Sequence, residues 1–204
     1  MQSLANYVIK NLIKNNLIAS GEEDKYRYGL EILLGKILNY STVIIIALFT
    51  NRLIPTVFFL LSFLSLRKRA GGYHAKTAFR CYLGTVSTYV LSCVVIIPIY
   101  AGNSRAEFLI LIVSAISILV FAPVNHPNLD FDKDEILANK HIIKKILIFL
   151  FVGIGMLLIG SEVLPKARVY GTYALAGIGV NAVLVCLSKV TKQDISGKDV
   201  LTGE

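Results

Sequence analysis

His74 and Cys81 lie seven residues apart in a strongly basic stretch of this 204-residue chain, and both side chains can do chemistry. They belong to the run Gly-Gly-Tyr-His-Ala-Lys-Thr-Ala-Phe-Arg-Cys over residues 71–81. The thiolate is the attacking form of cysteine, and nearby cations, an imidazolium or a helix N-terminus stabilise it. Since all three surroundings are expected around Cys81, the run predicts a thiol nucleophile with His74 as its general base.

The spacing of the two residues sets a condition on the backbone. On one unbroken helix, residues seven apart share a face but lie about 10 Å apart along the axis, whereas a nucleophile and its base approach to about 3 Å. His74 is therefore expected on a loop that folds back toward Cys81. Gly71 and Gly72 permit such a bend, and their N–H groups could also donate to an oxyanion. Thr77 is a suitable N-cap for a helix that would carry Cys81 near its positive end.

A cationic cluster of Arg67, Lys68 and Arg69 directly precedes the two glycines. These side chains could bind an acidic peptide tail through charge-assisted hydrogen bonds. They could equally anchor the chain at the lipid headgroups, and the sequence leaves both interpretations open. Since a cysteine near a histidine is often structural, the residues alone leave catalysis as a hypothesis.

The composition is typical of a membrane protein, because 55% of the residues are hydrophobic and 17% are charged, against about 25% charged in soluble domains. Six apolar segments follow one another, at about 28–50, 53–66, 82–101, 108–122, 142–161 and 170–188. The second segment is short and has Pro55 near its start, so a re-entrant segment is the alternative there. The sequence predicts an all-α integral membrane fold with six transmembrane helices.

The distribution of Lys and Arg predicts the orientation of these spans. If all six segments cross, the successive loops carry 5, 1, 5, 1, 4, 2 and 3 of these residues. The positive-inside rule then puts both termini and the His74–Cys81 loop on the cytoplasmic side. The loops account for the net charge of +8, so no nucleic-acid partner is predicted. Glu107 falls at an outer end and is expected to be solvated.

The two ends of the chain lie outside the membrane region. Residues 2–18 predict an amphipathic helix, with Ala5 and Ile9 on its apolar face and Lys10 and Lys14 on the other. This helix is too polar to span, so we expect it to lie along the membrane surface. With a six-helix region at 28–188 and a cytoplasmic tail at 189–204, the whole chain, 1–204, is predicted to form a single membrane domain.

The remaining cysteines and histidines suggest no further site. An odd number of cysteines without clustered spacing argues against a disulfide framework. Cys93 and Cys186 lie in apolar segments and are expected to be small core residues. His126 and His141 repeat no ligand spacing, so neither a metal nor another cofactor is predicted.

The segment 67–81, Arg-Lys-Arg-Ala-Gly-Gly-Tyr-His-Ala-Lys-Thr-Ala-Phe-Arg-Cys, resembles the signature of the accessory gene regulator protein B family. These are membrane endopeptidases that mature quorum-sensing peptides in Gram-positive bacteria. Segment 121–129, Phe-Ala-Pro-Val-Asn-His-Pro-Asn-Leu, also resembles a family loop after the fourth span. The resemblance implies that Cys81 is the nucleophile, that His74 is its base, and that Arg67 and Gly72 are needed for activity.

The same resemblance implies an activity and its partners. The protein would cleave the C-terminal tail of a precursor peptide through a Cys81 thioester, leading to a cyclic thiolactone peptide. It would act in the bacterial cell membrane as a homodimer, with the precursor and the bilayer as partners and without a cofactor. Asn125 or Asp130 could orient His74, although the residues require neither.

A non-enzymatic membrane protein, such as a small transporter or a peptide-binding membrane chaperone, is the alternative function. It predicts that Cys81 can be replaced without loss and that buried charges line a pathway. The apolar segments carry almost no internal charge, which argues against a transporter.

Overall fold

The computed structural model describes residues 2–15, 18, 21–73, 75, 77–125 and 132–193. Within these residues the chain forms no strand and eight α-helices: α1 (Gln2–Lys14), α2 (Glu23–Phe49), α3 (Leu53–Ala70), α4 (Ala78–Leu91), α5 (Ile97–Tyr100), α6 (Ser104–Phe121), α7 (Lys133–Ile159) and α8 (Pro165–Val190). A π-helical turn, Ser92–Ile96, joins α4 and α5 into one rod. A 3-10 turn, Gly160–Glu162, extends α7.

Five helical segments in the described part of the chain are long and apolar enough to cross a membrane. They are α2, the α4–α5 rod, α6, α7 with its 3-10 turn, and α8. Helix α3 has 18 residues, but its last turn carries Arg67, Lys68 and Arg69, which shortens its apolar part. Five of the predicted spans thus correspond to helices of sufficient length, and a crossing by α3 stays a prediction.

Helix α8 is the central helix of the bundle. Its most apolar stretch is 56% buried, against 11–22% for the other four candidate spans. Small residues allow α3 to approach it closely: a Cβ on Gly177 would lie 2.6 Å from the carbonyl oxygen of Phe59. The Ser62 hydroxyl donates to the carbonyl oxygen of Ala174 at 2.8 Å. Helix α8 therefore fixes the position of α3 and of the cationic turn at its end.

Helix α1 ends at Lys14 and packs against α2. Ala5 and Ile9 are buried, whereas Lys10 is exposed, so the helix has one face toward the protein. The helix is shorter than the predicted 2–18. Its position along a membrane surface stays a prediction.

Glu107 is fully buried, and the expectation that it is solvated is wrong. Its Oε2 accepts a hydrogen bond from the Arg168 guanidinium at 2.9 Å. Its Oε1 accepts hydrogen bonds from the Thr172 hydroxyl and from the Gly102 N–H, each at 3.2 Å. A buried carboxylate needs such partners to stay charged. The ion pair joins the start of α6 to α8.

Candidate active site around Cys81 and Arg67

Cys81 lies at the start of α4, where the helix dipole favours negative charge. The Thr77 hydroxyl accepts a hydrogen bond from the Arg80 N–H at 3.3 Å, which confirms the predicted N-cap. The Cys81 N–H donates to the carbonyl oxygen of Thr77 at 3.0 Å. Since Cys81 is half-buried, its thiol combines partial access with the positive end of a helix, as reactive cysteines do.

Arg67 connects the last turn of α3 to the loop that follows it. Its guanidinium donates one hydrogen bond to the carbonyl oxygen of Gly71. It donates a second to the carbonyl oxygen of Tyr73, the residue before His74, at 2.7 Å. Hydrogen bonds from a charged donor are stronger than neutral ones, and the planar guanidinium fixes the angle between them. Arg67 therefore determines the path of the loop.

The side chain of Cys81 lies near the guanidinium of Arg67. Burial lowers the pKa of Arg67 from its usual range, and the nearby Cys81 and Tyr40 side chains act against this shift. The guanidinium stays protonated, because its ordinary pKa is very high. An electrostatic influence of this kind requires proximity. One cation thus contacts the loop before His74 and lies near the side chain of Cys81.

Two glycines allow the loop to pass between α3 and α8. Gly71 and Gly72 have φ angles of +69° and +121°, which side chains other than glycine rarely adopt. A Cβ on Gly72 would collide with the Arg67 guanidinium and would lie 3.3 Å from the carbonyl group of Leu184. The Tyr73 N–H then donates to the carbonyl oxygen of Leu184 at 2.9 Å. The loop is fixed from both sides just before His74.

The segment after α6 packs on the same loop. The Val124 N–H donates to the carbonyl oxygen of Ala70 at 2.9 Å. A Cβ on Gly71 would lie 2.7 Å from the carbonyl oxygen of Val124. Val124 and Asn125 are both buried. The two stretches of sequence that resemble one family, 67–81 and 121–129, therefore meet in space over the part that the structure describes.

The pattern of the family described as Accessory gene regulator B matches residues 1–188.

The chain belongs to the accessory gene regulator B family.

Its relatives agree with this assignment. An AgrB-like protein of Listeria innocua is 31% identical over 144 residues, which cover 68% of this chain and 67% of the relative. The accessory gene regulator protein B of Staphylococcus aureus (strain bovine RF122 / ET3-1) is 24% identical over 172 residues, which cover 82% and 84%. No solved structure matches the chain. The resemblance that the motif suggested is confirmed at the level of the family.

The cationic cluster of this family member does not act as one unit. Arg67 is bound to the loop. Arg69 instead donates to the Asn139 side-chain oxygen of α7 at 3.2 Å, and only Lys68 of the three is exposed. The first and third cations therefore stabilise contacts between elements. Binding of a peptide tail by the cluster stays a prediction.

Several predicted residues lie outside the described part of the chain. His74 is one of them, although its neighbours Tyr73 and Ala75 are both described as half-buried. Asp130 is another, so the suggestion that Asp130 or Asn125 orients His74 stays a prediction. Among the residues that are described, no group of three or more His, Cys, Asp or Glu side chains could hold a metal ion.

Sequence reasoning missed Leu184 and Val124 as parts of the site. Both act through main-chain groups, and a leucine or valine in an apolar segment gives no signal of such a role. The one available signal was indirect. Two consecutive glycines after a helix indicate a close approach by another element, but they do not identify α8 as that element.

Proposed function

We propose that this protein is an integral-membrane cysteine endopeptidase that removes the C-terminal tail of a quorum-sensing precursor peptide. Membership of the accessory gene regulator B family supports a role in the processing of such peptides. The observation that carries the proposal is the position of Arg67. Its guanidinium holds the loop directly before His74 and lies near the side chain of Cys81, which supports a role for both residues in one site.

In the first step, His74 takes the proton from the thiol of Cys81, and the sulphur attacks the scissile carbonyl carbon. The carbonyl oxygen becomes an oxyanion, which the nearby Arg67 cation stabilises. As the C–N bond breaks, His74 returns the proton to the leaving amine. The tail departs with a free amino terminus, and the rest of the precursor stays on Cys81 as a thioester.

In the second step, a thiol within the precursor attacks the thioester. A new C–S bond forms while the bond to Cys81 breaks, and the proton of the attacking thiol passes through His74 to the Cys81 sulphur. One thioester replaces another, so the acyl group keeps its activation and a thiolactone ring closes. A serine in the same place would give a lactone.

The membrane supplies the proximity that the reaction needs. An amphipathic precursor and the enzyme in one bilayer meet at a higher effective concentration than in solution. We assign the site to the cytoplasmic side on the charge pattern of the loops. Family resemblance is the reason for proposing a homodimer.

The test uses the full chain in liposomes with its precursor peptide, and mass spectrometry of the products. Wild type should release the tail and form a cyclic peptide, whereas Cys81→Ala and His74→Ala should give neither product. Cys186→Ala is the matched control, because it removes a half-buried thiol from α8 and should leave both products unchanged. Tail release by Cys81→Ala would exclude Cys81 as the nucleophile. A failure of wild type on its true precursor would favour a non-enzymatic role.

A further inference from the structure

A groove lies between the end of α6 and the first half of α7, at the Cys81 end of the bundle. Its volume is about 220 Å³, and its lining consists of three apolar residues and two lysines: Leu119, Ala122, Ile143, Lys140 and Lys144. The groove lies at this end because its lining residue Ala122 is two residues before Val124. The Val124 N–H donates to the carbonyl oxygen of Ala70, at the end of α3, just before the loop that leads to Cys81. A groove of this size suits a lipid headgroup rather than a helix or a folded partner.

The groove combines a cationic rim with an apolar floor. Lys140 and Lys144 are four residues apart on α7, so their side chains project side by side. Both are exposed, and neither forms an ion pair with a carboxylate in the described part of the chain. Of the apolar lining residues, Leu119 is 47% exposed, whereas Ala122 and Ile143 are buried. Two cations that form no ion pair among the described residues therefore border an apolar surface, of which Leu119 is the accessible part.

The sequence of α7 indicates the depth of the groove in a bilayer. No charged residue occurs in α7 after Lys145, and the helix continues to Ile159. Lysines at the start of such an apolar stretch extend their ammonium groups to the headgroup level while their methylenes stay in apolar surroundings. Lys140 and Lys144 thus lie at the boundary between headgroups and acyl chains, where the ligand must be both anionic and apolar.

We propose that this groove binds the headgroup of an anionic phospholipid. The ammonium groups of Lys140 and Lys144 bind the phosphate, and the exposed Leu119 side chain packs against the glycerol and the first methylenes. Basic pockets between helices at a membrane face are suited to this chemistry. An acidic peptide would match the lysines but would leave the apolar floor uncovered. The site is independent of the proposed peptidase activity.

The test measures lipid binding to the full chain in detergent by native mass spectrometry. The probes are phosphatidylglycerol and phosphatidylcholine with the same acyl chains. Wild type should bind phosphatidylglycerol more tightly. A direct, exposed ion pair between a lysine and the phosphate contributes up to about fivefold in affinity, so Lys140→Gln with Lys144→Gln should weaken phosphatidylglycerol binding by as much as roughly 25-fold. Binding of phosphatidylcholine should not change. Both side chains are exposed, so the fold should tolerate the change.

The matched control is the double variant Lys133→Gln with Lys145→Gln. It removes the same charge from the same helix, but neither side chain lines the groove. We expect it to change the affinity for phosphatidylglycerol by less than about twofold. Equal losses in the two double variants would overturn the proposal, because they would indicate diffuse surface charge. Equal affinity of wild type for both lipids, or full displacement of phosphatidylglycerol by a short oligoglutamate peptide, would overturn it as well.

Discussion

The guanidinium of Arg67 lies 2.7 Å from the carbonyl oxygen of Tyr73, and this bond fixes the backbone directly before His74. The side chain of Cys81, at the start of α4, lies near the same guanidinium. The cation therefore holds the loop in place, a function that a simple membrane anchor does not need. We propose that it also provides positive charge where the reaction develops negative charge.

Replacement of Arg67 by lysine tests the positioning function of the guanidinium. Lysine keeps the charge but cannot bond two carbonyl groups in a fixed plane. We expect kcat for tail release to fall on the order of 100-fold, since misplaced catalytic groups cost about that much, with KM nearly unchanged. Lys68→Gln is the control, because Lys68 is exposed on the same turn and should retain activity. Full activity of Arg67→Lys would show that charge alone suffices.

Gly72→Ala tests the close passage of the loop. The φ angle of +121° disfavours alanine, and the new methyl group would collide with Arg67. We expect a destabilisation of about 1–3 kcal/mol from the backbone strain and a large loss of tail release. Gly84→Ala in α4 is the matched control, because a Cβ there meets nothing within 4 Å. Unfolding in micelles of increasing SDS content measures the stability of both variants. An active, stable Gly72→Ala would contradict the account of the loop.

Gly177→Ala tests the packing of α3 on α8. A Cβ at this position would collide with the Ser62 hydroxyl and would lie 2.6 Å from the carbonyl oxygen of Phe59. Overpacking typically costs about 1–3 kcal/mol, and α3 must shift with its cationic turn. We therefore expect lower stability and slower tail release together. The control is Gly153→Ala in α7, where a Cβ would meet no atom within 4 Å; it should change neither stability nor the rate of tail release. Equal behaviour of the two variants would contradict the close contact between α3 and α8.

Glu107→Gln tests the buried ion pair. The substitution leaves Arg168 without its carboxylate partner. Breaking a fully buried ion pair in this way lowers the free energy of unfolding by about 3–5 kcal/mol. Arg168 is 27% exposed, so water should reduce the loss to roughly 1–3 kcal/mol. A double-mutant cycle with Arg168→Gln measures the coupling. The exposed Glu162→Gln should be neutral, and a coupling near zero would show that the pair contributes no stability.

The sequence predicted the features that depend on local chemistry. Thr77 could be predicted as an N-cap because a capping threonine bonds to residues close to it in sequence. The long helices could also be predicted, because an apolar segment long enough to span a membrane is a feature of contiguous residues. Glu107 was misjudged because its partner, Arg168, lies on α8, and the apolar pattern of a helix does not identify its neighbours in the bundle.

The geometry around Arg67 could be predicted only in part. The pair of glycines predicted a bend, and the basic turn predicted positive charge near Cys81. The hydrogen bonds of Arg67 to two carbonyl groups, and the contact of the loop with Leu184, depend on main-chain atoms that are the same in every residue. Such contacts cannot be predicted from the residue types, because they depend on how the helices pack in three dimensions.

The central claim is that Cys81 forms a thioester with the precursor. The most direct measurement uses a precursor whose internal cysteine is replaced by alanine, so that the acyl group cannot leave by ring closure. Intact-mass analysis of the full chain in liposomes should then show one added acyl fragment. The fragment should map to Cys81, be removed by hydroxylamine, and be absent from Cys81→Ala. An adduct that persists in Cys81→Ala, or tail release without any adduct, would contradict the account.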